Sequence, residues 1–154
     1  MKDRREQVLV RLKTILEAVP GIQVVVRNRG ELPADKRPAI VLLDADEVAR
    51  LNVPQSRGRL IAAPCLVDMT PEIFVVMDAR EPPNDLIGTD MNTMRVTIVH
   101  AVYSDQELKT ILSANGDIRY AGTVTDMASG RSMEGQMHIR MTFTYPLIPS
   151  ELAA

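Results

Sequence analysis

Between residues 135 and 145 the chain reads GQMHIRMTFTY. Met137, Ile139, Met141, Phe143 and Tyr145 fall on one side of an extended backbone, and His138, Arg140, Thr142 and Thr144 on the other. Alternation of this length predicts a strand with one buried face. What the polar face meets (water, a substrate or another protein) is the question the sequence poses. Near the start, Val8, Leu12, Ile15 and Val19 recur at helical spacing, widened by Leu9 and Leu16, so a helix is expected there. Asp3 and Glu6 are placed to form its capping box, and Pro20-Gly21 to stop it.

Further along, residues 22–27 and the apolar run 39–43 predict strands separated by a loop of turn formers, NRGELPADKRP. The acidic stretch DADE closes the second strand, and 47–59 reads as an irregular excursion with VPQSRGR exposed. Residues 60–67, interrupted by Pro64, are expected on an edge or at a bulge, and 72–77 form a further strand that EPPND ends. Met91, Met94, Ile98 and Val102 then follow helical spacing, and Ser104 with Glu107 predicts a second capping box starting a short helix over 105–112. Asn115-Gly116 marks a turn, and strands 118–125 and 135–145 are joined by the loop DMASGRSMEG. Strands in runs around a helical block predict a single α+β domain over 1–154: a largely antiparallel mixed sheet with helices packed on one face.

With aromatics at 3%, no Trp and nine Met, the core must be aliphatic, and the aromatic anchors that dominate many interfaces are scarce. The formal net charge of −2 argues against a protein that grips nucleic acid. The charge is uneven: residues 1–37 carry nine Lys/Arg against five Asp/Glu, and 38–90 carry four against nine. Two such segments are either differently solvated surfaces or complementary patches between subunits. One cysteine, Cys65, excludes an internal disulfide and is expected to pack. The start, MKDRREQ, lacks the apolar stretch of a signal peptide, and no run reaches transmembrane length; a cytoplasmic protein is expected.

Candidate chemistry is sparse. His100 and His138 are the two histidines, no zinc spacing occurs, and neither a phosphate-cradling nor a dinucleotide glycine motif is present. Asp44, Asp46 and Glu47 end a strand as Mg²⁺ ligands of a hydrolase or nuclease do, with Asp44 and Asp46 on one face if the strand continues. The nearby lysines such a site wants are missing, so no enzyme, cofactor or metal is expected.

The order of segments, from REQVLVRLKTILEAVPGI through VVVRNRGELPADKRPAIVLLDADE, MTPEIFVVM and AVYSDQELKTIL to NGDIRYAGTVTDMASGRSMEGQMHIRMTFTY, resembles that of phage tail terminator (tail completion) proteins. The resemblance covers residues 4–146 and contains no catalytic signature. It implies a small α+β virion protein, assembled in the host cytoplasm, that forms a ring of six copies, caps the major tail tube protein and offers a surface to the neck or head-completion protein. DNA passes through such a ring without sequence-specific binding, and no membrane is involved. A head-completion role is the neighbouring alternative. The exposed loops and the polar strand face supply the candidate contacts with partners: Arg57, Arg59 and Arg131 on the loops, His138 and Arg140 on the strand.

Overall fold

A computed structural model describes residues 2–30, 35–50, 64–77, 86–127 and 135–152. In chain order these form α1 (Arg4–Glu17), β1 (Val24–Arg27), β2 (Ala39–Leu43), β3 (Glu47–Ala49), β4 (Cys65–Met69), β5 (Glu72–Val76), α2 (Ile87–Ser104), α3 (Gln106–Leu112), β6 (Asp117–Met127), β7 (Gly135–Leu147) and a closing 3-10 turn, Pro149–Glu151. The chain is one α+β domain: a mixed sheet, antiparallel except for the parallel pair β1–β2, with its helices on one face.

The register reduces the seven strands to five ribbons. β4 and β5 lie end to end along β7, unbroken from Cys65 opposite Leu147 to Val76 opposite Gln136. Between them stands Thr70-Pro71, where proline has no N–H to give the ladder. β2 and β3 likewise form one line against β5 and β4, but Asp44, Ala45 and Asp46 face only two residues there. That extra residue is a β-bulge, with Ala45 at φ 54°. The sheet therefore runs β1, β2–β3, β5–β4, β7, β6, and the predicted excursion begins as strand rather than loop.

The predicted strand 135–145 is the spine of this sheet. Met137, Ile139, Met141, Phe143 and Tyr145 are all buried, against Ile40, Leu42, Val67, Met69, Ile73 and Val75 on neighbouring ribbons and Leu9, Leu12, Ile98 and Leu108 from the helices. Removing Phe143, wholly buried, costs about 3–5 kcal/mol in such a setting. The polar side departs from expectation at Thr144, which is 1% exposed because its hydroxyl donates to Asp68.

The first expected capping box is half right and the second is not formed. Asp3 caps α1 by accepting from the Glu6 N–H, but the Glu6 carboxylate reaches Arg27 instead of returning to the cap. For α3 the cap is Asp105, one residue later than expected, which accepts from the Leu108 N–H at 2.7 Å. Ser104 turns back to its own helix and donates to the His100 carbonyl, and Glu107 pairs with Arg11. The expected strand 60–67 is described only from Pro64 onward, with pairing from Cys65 to Met69; Cys65 is half-buried against the core. No described helix is long and apolar enough to cross a membrane.

Candidate protein interface

The acidic stretch is dismantled by the bulge. Asp44 turns to the helix side, where Arg27 donates to it at 2.7 and 2.8 Å and bridges it to Glu6. Those hydrogen bonds hold the Asp44 carboxyl below its ordinary pKa. Glu47 accepts from the Tyr145 hydroxyl, and burial with that bond pushes the phenol pKa up. Asp46 is exposed on the opposite face, two residues before Val48. Asp44 and Asp46 do not share a face, and among the described residues no three His, Cys, Asp or Glu side chains converge as a metal site requires.

The segmental charge contrast is likewise absorbed inside the chain. Arg4 bonds Glu151 and the Ile111 carbonyl, Arg11 grips Asp105, Lys13 pairs with Glu17, and Arg27 holds Asp44 and Glu6. These cations meet acids of their own subunit, so the alternative of complementary patches loses much of its basic half.

What remains for recognition is the sheet face away from the helices. Register places Val26, Val41, Phe74, His138 and Val124 side by side across all five ribbons on that face. Val24, Leu43 and Val76 flank the row, half-buried. None of these residues belongs to the helix-packed core. Val124, at the far end, is 60% exposed.

His138 sits mid-row, its ring stacked on Phe74 with centroids 4.2 Å apart and planes 16° from parallel. Its Nε2 is buried with no hydrogen-bond partner, and lies 3.7 Å from a Glu72 carboxylate oxygen. Burial lowers the His138 pKa, partly opposed by Glu72, so the ring is neutral near pH 7. Arg140, two residues on and exposed, makes no ion pair with any described residue. Opposite it stands Gly122 at a second bulge (φ 135°), where a Cβ would meet nothing within 4 Å.

Beyond Arg140 the same face turns polar. Arg50 donates twice to Asp68, Arg119 approaches Asp68 at 3.3 Å, and the hydroxyls of Thr70 and Thr142 bond each other. The Arg50 hydrogen bonds lower the Asp68 pKa.

Of the residues singled out from sequence, His138 and Arg140 thus lie on one surface; Arg57, Arg59 and Arg131, with the loops carrying them, fall outside the described residues. The apolar row was not foreseen. Its signal lay in VVVR, AIVLL and IFVV, which place apolar side chains at both parities of strands covered on one face only.

No protein-family model matches the chain, and no characterised protein matches its sequence. The fold stands on its own: an α+β domain whose helices pack on one sheet face, with the apolar row on the other, which no described helix covers.

Proposed function

We propose that this protein is a structural subunit of the tail terminator type, which closes into a ring on the tail tube and presents a surface to the neck. One observation carries the reading. β6 at one end of the sheet, and β1 with β3 at the other, each pair on one side only among the described strands. Two free edges at opposite ends are what a heterologous, ring-closing contact uses. β1 runs with β7 and β6 runs against it, so an edge-to-edge contact between rotated copies is antiparallel. The dispersal of Asp44, Asp46 and Glu47 to separate partners and faces weighs against the hydrolase alternative.

The polar face of β7 then meets protein, because an apolar row crosses it. A lumen passed by DNA gains nothing from such a row. Negative-stain images of particles assembled without this protein test the reading. Overlong tails are the expected result; tailless heads, filled or leaking, assign the protein to the neck instead, and normal particles refute both.

A further inference from the structure

We propose that, in the free protein, the sheet face that no described helix covers pairs with the same face of a second copy across a twofold axis. The inference does not depend on the tail reading. It rests on where two unpaired charges stand. Asp46 and Arg140 are both exposed on this face, and neither makes an ion pair with a described residue, whereas Arg27, Arg50 and Arg119 on the same sheet are all engaged by carboxylates.

The register fixes their relation. With β5–β4 as the middle ribbon, Arg140 lies on one flank and Asp46 on the other. Asp46 is level with Thr70, whose N–H donates to its carbonyl, and Glu72, two residues on, faces Arg140. The two charges are offset along the strands by two residues, about 7 Å, within the span of an arginine side chain.

A twofold axis along the middle ribbon exchanges the flanks. It brings Arg140 of each copy to Asp46 of the other, so one operation makes two ion pairs. The same rotation lays the apolar row on itself: Phe74 on Phe74, Val41 on His138, Val26 on Val124. Two sheets packed face to face interdigitate in this way about 10 Å apart. An unrelated partner would need its own acid and base in that mirrored disposition; a second copy has them by symmetry. Covering the row also takes the exposed Val124 and the half-buried Val26 and Phe74 out of water.

Sedimentation velocity of the full chain across the micromolar range tests the pairing. A concentration-dependent dimer is expected. Arg140→Asp and Asp46→Arg should each weaken it by about tenfold or more, and the two together should restore it. Val124→Asp should abolish it while circular dichroism and Tm stay unchanged, since this side chain is not in the core. A strict monomer at every concentration overturns the proposal, as does a double variant no tighter than the singles. Free protein that sediments only as rings, unchanged by all three substitutions, overturns it too and leaves the tail reading standing.

Discussion

Asp105 offers the sharpest test of how the helical layer is held. Its Oδ1 accepts the Leu108 N–H at 2.7 Å, which caps α3, and its two oxygens take Arg11 of α1 at 3.0 and 2.6 Å. One carboxylate therefore starts one helix and ties it to another. Loss of an N-cap costs about 1 kcal/mol. The ion pair is partly shielded, with the Asp105 side chain 14% and the Arg11 side chain 27% exposed, and is worth about 1 kcal/mol. Arg11 keeps Glu107 at 2.8 Å, so it is not stranded by the change. Asp105→Ala should then lower the unfolding free energy by about 2 kcal/mol. Asp105→Asn, which still caps but carries no charge, should lose about half as much. Urea unfolding followed by far-UV circular dichroism measures both, with equal slopes against denaturant confirming that the comparison is of stability alone. Added salt should narrow the gap between wild type and Asp105→Asn and leave the gap between the two variants in place. If alanine and asparagine cost the same, the cap contributes nothing and the reasoning fails.

Other consequences can be checked alongside. A Cβ on Gly116 would stand 2.3 Å from the Leu112 carbonyl oxygen, so Gly116→Ala should destabilise by about 2 kcal/mol or more, read as a fall in Tm. Titrating the wild type with Mg²⁺ or Mn²⁺ should give no calorimetric heat, because Arg27 already occupies Asp44; heat lost in Asp44→Ala would revive the hydrolase reading. The pH dependence should have two stages. His138, facing Glu72 and Arg140 and stacked on Phe74, has a folded pKa below its unfolded value of 6.5. The unfolded chain therefore binds the proton first, and stability should decline as pH falls below that value, a slope that His138→Gln removes. Asp44, Asp68 and Asp105 are depressed by Arg27, Arg50 and Arg11 respectively, so the stability they add is present above the unfolded carboxylate pKa and is lost as pH falls below about 4.

The elements were legible wherever one residue's role depended on neighbours close in sequence. The helical stripe from Val8 to Val19 and the alternation from Met137 to Tyr145 each follow from a periodicity that one covered face imposes. Misreadings came where a distant partner outbid a local one. Glu6 was free to complete its capping box, but Arg27, brought over by β1, offers a charged bidentate bond stronger than a single backbone N–H. Ser104 lost the α3 cap to Asp105 because Arg11 also rewards an aspartate there. The bulge at Ala45 was invisible for another reason. Whether a strand continues through DADE depends on β4 and β5 being collinear, and no local pattern encodes that. Its effect was to send Asp44 and Asp46 to opposite faces and undo the one candidate metal cluster.

Those two aspartates also explain why the open face is divided. Asp44 follows the outward Leu43 and so faces the helix side, where Arg27 meets it; without the extra residue Asp46 would share that face. With it, Asp46 is turned to the outer surface while Asp44 stays with Arg27. One inserted residue thus equips the outer surface with an acid that no described residue pairs. Arg140 likewise stands beside a bulge, opposite Gly122, with open space where a Cβ would be. Bulges add twist and interrupt pairing, costs that a sheet with no surface to shape has no reason to bear. Both bulges fall beside charges of one face, Asp46 and Arg140, that no described residue pairs, while Arg27, Arg50 and Arg119 on the same sheet are engaged by carboxylates. That contrast is the physical ground for the proposed contact.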